Sequence, residues 1–207
     1  ITSTVTVTPQ VILGGVTCNG PQQSFTITLN PVPTVNNPTD LVLCHNDNSG
    51  LITFSGAVAN TTYSWSNNTP SINLVGPGTN QINSFVALNT TNAPVTATIT
   101  VIPTFGPSTA VCTGTQETFT ITVNPIPNIN TVANQSVCVG QLTQAVNFSS
   151  NPSIIGTVYE WTNTNTSIGL SSGNIGSIPA FNGINNGNAL ETGLITVTPK
   201  YTNLNHL

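Results

Sequence analysis

Four cysteines are the residues of this chain with the widest chemistry, because a thiol can form a disulfide, bind a metal or act as a nucleophile. Cys112 follows Cys18 by 94 residues. Cys138 follows Cys44 by the same distance. Free thiols of a cytosolic protein need no such matched placement, so the spacing favours disulfides that form in an oxidising compartment.

Metal binding is the weaker interpretation of the same thiols. A zinc site needs clustered ligands, yet the chain has no Cys-x-x-Cys, and the only histidine beside a cysteine is His45, directly after Cys44. The other histidine, His206, stands in a tail-like segment. The oxygen-rich loop from His45 to Gly50 contains one carboxylate, that of Asp47, whereas calcium prefers several. We therefore expect an ordinary turn here, with no metal and no cofactor.

No catalytic set of nucleophile, base and acid recurs along the sequence. Serine and threonine are abundant, but the two histidines do not recur in phase, and the five acids are scattered. Glu160 lies beside Trp161, yet Ser64 stands at the corresponding place before Trp65. Hydrolysis of a glycosidic bond needs two carboxyl groups in one site. The sequence therefore predicts that this protein is not an enzyme and has no catalytic residues.

The low charge of the chain excludes two classes of partner. Only 3% of the residues are charged, a single residue is lysine or arginine, and the net charge is −4. Nucleic-acid binding requires several basic side chains against the phosphates, so this class is excluded. A polybasic site for anionic membranes is excluded for the same reason. Apolar runs such as Leu41–Cys44 are far shorter than the roughly 18 residues that span a bilayer.

The elements that must position these residues are repeated along the chain. Phe25–Pro33 returns 94 residues later as Phe119–Pro127, with seven of nine residues identical. Tyr63–Trp65 returns 96 residues later as Tyr159–Trp161, so the second copy carries two extra residues before that strand. A fixed period of this length predicts a tandem array of one module. Such arrays usually set distance and valency and carry no reaction chemistry of their own.

The strand pattern predicts the fold of one module. Val95–Ile102 and Thr118–Val123 alternate apolar residues with threonine, as strands with one buried face do. About seven short strands, one of them near Ile72–Leu74, are expected in 94 residues, which is typical of an immunoglobulin-like β-sandwich. Trp65 and Trp161 are expected to anchor the core, because both lie in mid-strand. A sugar-stacking tryptophan is the alternative for these two residues.

Two proline-rich junctions, at residues 30–33 and 124–127, divide the chain. Alternating prolines favour extended backbone and a stiff connector, so the modules should run end to end. We expect 1–29 to be the last two strands of a preceding repeat, 30–123 a complete repeat, and 124–207 a repeat that lacks its final strand. The first eight residues alternate like a strand and lack the features of a signal peptide, which predicts an internal window of a longer protein.

Several of these motifs resemble those of PKD-like, Ig-fold tandem repeats in giant cell-surface adhesins of Bacteroidetes. The resemblance covers the whole chain and rests on the Cys-x-Gly turn at Cys138–Gly140, the Tyr-x-Trp strand, the Cys-Thr-Gly turn at Cys112–Gly114 and the junction at Phe119–Pro127. The first copy departs from the pattern, with Cys44–Asn46 in place of Cys-x-Gly. The resemblance implies export by type IX secretion and a role as an adhesin or surface filament, in some cases in gliding motility.

Two functions from different classes remain open at this stage. The first is the extended shaft of an extracellular adhesin or filament, whose partners are neighbouring copies of the chain or repeat, with surface glycans or other cells as further candidates. The second is a non-catalytic, carbohydrate-binding accessory module of a secreted multidomain enzyme. The shaft is favoured, because the recurring aromatic residues fall on strand positions that should be buried.

The repeat also constrains which cysteines pair. If the strands of one module alternate in direction, the turn with Cys44 lies at the opposite end of the module from the loop with Cys112. A disulfide needs Cα atoms within about 7 Å. We therefore expect Cys44 to pair with a cysteine just after Leu207, and Cys112 with one before Ile1. The pair within one module remains the alternative.

Overall fold

The computed structural model describes residues 1–202 and consists almost wholly of short β-strands. Among these residues there is no α-helix, and the only helical segments are two single turns of 3-10 helix. None of them is a helix of the length and apolarity that crossing a membrane requires. The prediction of an all-β protein is therefore confirmed. The strands are β1 (Thr2–Val7), β2 (Gln10–Leu13), β3 (Val16–Asn19), β4 (Gln23–Thr28), β5 (Leu41–Cys44), β6 (Ile52–Thr53), β7 (Thr62–Asn67), β8 (Gly78–Thr79), β9 (Gln81–Ile82), β10 (Val95–Phe105), β11 (Cys112–Thr113), β12 (Glu117–Asn124), β13 (Thr157–Asn163), β14 (Gly173–Ile175) and β15 (Ile195–Tyr201).

The largest sheet has six strands and occupies the middle of the chain. Its order is β5-β12-β10-β7-β8, with β11 added to the end of β10. All pairs are antiparallel except β5 with β12, which is parallel. In β10 the inward side chains Ala97, Ile99 and Val101 are fully buried, and threonines alternate with them. The hydroxyls of Thr96 and Thr122 lie 2.9 Å apart across the outer face of the sheet.

A second, two-stranded sheet packs on the same core. β6 pairs with β9, and an isolated bridge between Asn48 and Val86 extends that pairing. Its residues Ile82, which is fully buried, and Ile52 contact the hydrophobic core of the six-stranded sheet. The fully or largely buried members of this core are Val35, Leu43, Tyr63, Trp65, Ile72, Leu74, Ile82, Ala87, Ala97, Ile99, Val101, Phe119, Ile121 and Val123.

Several strand pairings of the middle part recur in the last part of the chain, offset by 96 residues from β13 onward and by 94 residues before it. Trp65 faces Val101 between β7 and β10, and Trp161 faces Val197 between β13 and β15. β14 pairs with β13 in the register with which β8 pairs with β7. The bridge between Val146 and Ile178 repeats the pairing of Ile52 with Ile82, and the bridge between Leu142 and Asn182 repeats that between Asn48 and Val86. The core here is smaller, with Trp161, Leu170 and Ile178 as its buried members.

The first part of the chain repeats only the end of that arrangement. Val5 faces Phe25 between β1 and β4, in the register with which Ile99 faces Phe119 between β10 and β12. β2 and β3 likewise repeat the pairing of β11 with the end of β10. No other described strand packs on β1 and β4, so their apolar face is open: Phe25 is 54% exposed, whereas Phe119 is 3% exposed.

One predicted strand of the middle part is wrong. The segment expected to form a strand near Ile72–Leu74 is instead a 3-10 turn, Pro70–Ile72. Pro70 has no N–H to give to a sheet, and Asn73 ends the turn in the left-handed region with φ of 69°. The strand that pairs with β7 comes six residues later, as β8. The third predicted unit, 124–207, extends beyond the described residues.

Candidate functional site

The segment that connects two repeats makes close contacts with the rest of the protein. We call 30–34 the linker and 106–116, which connects β10 to β12, the β11 loop. The Asn30 Nδ2 donates a hydrogen bond of 3.0 Å to the Ala110 carbonyl, and the Cys112 Sγ lies 3.9 Å from the Asn30 carbonyl oxygen. Pro33 is fully buried. The start of residues 30–123, which we call the middle repeat, is therefore held against its own β11 loop.

Two glycines allow this close approach. A Cβ at Gly114 would overlap the Pro33 carbonyl oxygen, and the Gly114 N–H donates to the Pro103 carbonyl at 2.9 Å. Gly106 has a φ of 108°, a conformation that favours glycine, and a Cβ there would crowd the Asn30 side chain. The β11 loop thus has glycine where the Pro33 carbonyl and the Asn30 side chain approach it most closely.

The opposite end of the middle repeat holds the other recurring element of the junction, a turn at 44–47 that we call the β5 turn. Cys44 is the partner of Asn124 in the parallel β5–β12 pair, and the His45 N–H donates to the Asn124 carbonyl at 2.9 Å. The His45 Nδ1 accepts a hydrogen bond of 2.9 Å from the Asn89 N–H. Asn124 is the equivalent of Asn30, because it lies 94 residues later in the same motif.

The departure of the first copy from Cys-x-Gly does not change the β5 turn. Asn46 has a φ of 72° and Gly140, its equivalent, a φ of 77°. Asparagine tolerates this left-handed conformation better than most residues. The Asp47 carboxylate accepts from the Cys44 N–H at 2.7 Å, and the Gln141 amide oxygen accepts from the Cys138 N–H at 3.1 Å. Both copies therefore form the same turn with different side chains.

The surroundings of Cys44 weaken its thiol as an acid. Partial desolvation of the largely exposed Cys44 thiol, and then the negative charge of Asp47, raise its pKa above the ordinary value. Nearby, the pKa of Asp40 is lowered, because the Thr120 backbone N–H, at 2.6 Å, and the Thr120 side chain donate hydrogen bonds to its carboxylate. Asp40 thereby ties the segment before β5 to β12.

The four cysteines are free thiols, and the structure contains no disulfide among residues 1–202. The alternative pair within one module, Cys44 with Cys112, is thus not formed. Cys44 and Cys112 lie at opposite ends of the middle repeat. Cys44 pairs with Asn124 at the end of β12, and Cys112 lies beside Asn30. The partners that the sequence predicted lie outside the 207 residues, so that pairing stays a prediction. Cys18 and Cys138 are exposed, like Cys44.

Both tryptophans lie inside their repeats. Trp65 is 6% exposed and Trp161 is 2% exposed, so neither indole face offers a platform for a sugar ring. The Trp65 Nε1 donates to the Gln81 carbonyl at 2.9 Å, whereas the Trp161 Nε1 is buried with no partner among the described residues. Gly78 packs closely against the Trp65 ring, so a Cβ at position 78 would overlap the ring.

The acid beside Trp161 is used in the sheet. Glu160 on β13 forms an ion pair with Lys200 on β15, and both side chains are about half exposed. An exposed pair of this kind adds little stability. It does not present a second carboxylate, so no pair of acids for general acid and base chemistry is assembled there.

Two clefts in the middle part of the chain are lined by uncharged residues. The first has a volume of about 410 Å³ and is lined by polar and apolar side chains between Asn36 and Ser55. The second, of about 690 Å³, lies beside Trp65 and is also uncharged. Within residues 1–202, no group of three or more His, Cys, Asp or Glu side chains is placed to hold a metal ion. His206 lies outside the described residues.

Sequence reasoning missed the contacts of the linker with the β11 loop. The only signals were that asparagine precedes both proline pairs and that Gly20 and Gly114 recur after the cysteines.

Comparison of the chain with protein-family models gives no match, and comparison with curated proteins gives no significant match.

Proposed function

We propose that this chain is a segment of the extended shaft of an extracellular surface adhesin or filament, built from PKD-like, immunoglobulin-like β-sandwich repeats that run end to end. The observation that carries the proposal is the linker, which is anchored to the β11 loop at one end of the middle repeat. The same chain leaves that repeat beside the β5 turn at the other end.

The sandwich interpretation is supported by how the two middle sheets share a core. Five strands in the order β5-β12-β10-β7-β8 face the β6–β9 pair, and Trp65 on β7 lies between them. A buried tryptophan on the third strand, packed between two sheets, is typical of immunoglobulin-like folds. The equivalent pairings in 142–201 support a second repeat of the same kind.

The positions of the two ends support an elongated array. β12 has eight residues, which is about 27 Å at 3.4 Å per residue, and it carries the chain from the β11 loop to the β5 turn. A repeat whose entry and exit lie at opposite ends adds its full length to the array. Pro31 and Pro33 restrict the backbone between repeats. Such a chain separates its two ends efficiently and resists bending.

The surface supports an extracellular filament whose partners are further copies of the chain. Thr2 and Thr28, like Thr96 and Thr122, place hydroxyl groups 3.2 Å and 2.9 Å apart on the outer faces of their sheets. With 3% charged residues, little electrostatic repulsion keeps two copies apart. Threonine and asparagine provide hydrogen bonds for lateral contact, and surface glycans or other cells are candidate ligands for the adhesin as a whole.

Immunogold electron microscopy of the producing cells tests the proposal. Antibodies against the 207-residue chain should label surface structures of intact, unpermeabilised cells, and pre-immune antibodies should not. Labelling only after permeabilisation would contradict an extracellular shaft. Recovery of the antigen in the medium on a polypeptide with hydrolase activity would support the accessory module instead.

A further inference from the structure

Two cysteines from different structural positions approach equivalent asparagine carbonyls. At the start of the middle repeat, the Cys112 Sγ lies 3.9 Å from the Asn30 carbonyl oxygen. At the end of that repeat, the Asn124 carbonyl accepts a hydrogen bond of 2.9 Å from His45, the residue after Cys44. These carbonyls belong to the same motif, 94 residues apart.

The period places both cysteines at one junction. In an array, Asn124 would contact the following repeat in the way that Asn30 contacts the middle repeat. The β11 loop of the following repeat, with its cysteine, would then lie against the Asn124 carbonyl. The Cα of Cys44 is already the neighbour of Asn124 across a strand pair, at about 4.8 Å. Both cysteines would therefore lie beside the same residue, Asn124, and a disulfide between them requires Cα atoms about 4.4–6.8 Å apart.

We propose that, at each junction of such an array, the cysteine of the β5 turn forms a disulfide with the cysteine of the following repeat's β11 loop. Cys44 is thus paired with the next repeat, and Cys112 with the preceding one. The inference rests on the end-to-end arrangement of the proposed function. It specifies an oxidative cross-link at a defined pair of positions.

The chemistry needs an oxidant, and a small disulfide such as oxidised glutathione supplies it. One protein thiolate attacks a glutathione sulfur and releases one reduced glutathione. The second protein thiolate then displaces the bound glutathione, so two thiols lose two protons and two electrons, and two reduced glutathiones form. Oxidation is best run at about pH 9, where the Cys44 thiol is more ionised than at neutral pH.

A bond at this place would restrain the junction beyond what the linker does. Without it, the repeats are connected by the proline-rich linker and by contacts such as that from Asn30 to Ala110. With it, a second covalent connection runs beside the linker from the β5 turn to the β11 loop. Bending or pulling the repeats apart would then require distortion of both connections.

The test uses the full 207-residue chain lengthened at its C-terminus by a copy of residues 112–124, which continues the period and begins with cysteine. After oxidation with glutathione disulfide, non-reducing peptide mapping by mass spectrometry should find the appended cysteine linked to Cys44. The Cys44→Ser variant should leave the appended cysteine without an intramolecular partner. The unextended chain should show no bond between Cys44 and Cys112.

A second, longer extension that copies residues 112–207 completes the repeat that starts at Asn124 and adds a further repeat without its final strand, in case the short extension does not fold. A bond from the appended cysteine to Cys138, its partner within one repeat, would overturn the proposal. So would a Cys44 thiol that stays reduced in both extended chains. Either failure would leave the shaft proposal standing, because immunogold labelling of intact cells does not depend on this bond.

Discussion

Truncating the same phenylalanine in two copies of one strand tests whether the middle repeat forms a closed unit to which the β1–β4 hairpin does not belong. Phe119 on β12 and Phe25 on β4 occupy equivalent places in equivalent pairings. Phe119 lies in the core at 3% exposure, whereas Phe25 is 54% exposed. Phe119→Ala and Phe25→Ala therefore make the same chemical change in two environments.

The expected magnitudes follow from the burial. Deletion of a buried phenylalanine side chain costs about 3–5 kcal/mol, because transfer energy is lost and a cavity is left. At Phe25 only about half of the side chain leaves water and no closed cavity forms, so the cost is about 1 kcal/mol or less. The free energy of unfolding falls by about 1–3 kcal/mol per molar of urea, so Phe119→Ala should lower the urea concentration at the unfolding midpoint by at least about 1 M.

Urea unfolding followed by tryptophan fluorescence measures this difference. A Trp161→Phe background makes Trp65, in the same core as Phe119, the only reporter. Phe119→Ala should shift the Trp65 transition strongly, and Phe25→Ala should leave it nearly unchanged. Equal shifts for the two variants would refute the division of the chain into a completed middle repeat and a separate hairpin.

Three further predictions concern the junction and the surface. Gly114→Ala should destabilise the middle repeat by about 1–3 kcal/mol, because the new Cβ overlaps the Pro33 carbonyl; Gly20→Ala, where a Cβ meets only the ring of a proline, is the matched control in urea unfolding and should cost less. Asp47→Asn should lower the pKa of the Cys44 thiol, since it removes a negative charge, and so should speed its alkylation by iodoacetamide at pH 8; an unchanged rate would contradict the electrostatic contribution. Self-association measured by analytical ultracentrifugation should vary little with salt, and a steep salt dependence would show that the few charges control it.

The strands that sequence predicted best are those with a simple alternation. Val95–Ile102 and Thr118–Val123 lie within β10 and β12, because every second residue enters the core and threonine covers the other face. Local sequence was less informative where turns decide the structure. Near Ile72, apolar composition favoured a strand, but Pro70 and Asn73 impose a 3-10 turn.

The contacts of the junction could not be read from local patterns, because they join residues far apart in the chain. Asn30 contacts Ala110 across 80 residues, and nothing in the linker itself specifies that partner. The parallel pairing of β5 with β12 is equally distant. The 94-residue period was the one long-range pattern in the sequence. It showed which cysteines are equivalent, but not which backbone groups lie beside them.

The two copies of the β5 turn show why an apparent loss of a motif can be structurally neutral. Gly140 and Asn46 differ in sequence but share a left-handed backbone. A motif defined by residue type treats the first copy as an exception, whereas one defined by conformation includes both. The same reasoning applies to Asp47 and Gln141, which accept the same backbone hydrogen bond.

The most direct test of the central claim is small-angle X-ray scattering of the chain lengthened by one, two and three further copies of residues 112–207. Each copy should increase the maximum dimension by a constant amount of roughly 40 Å, since β10 alone has 11 residues and spans about 37 Å. A maximum dimension that grows progressively less with each added copy, as in a compact particle, would contradict an end-to-end shaft.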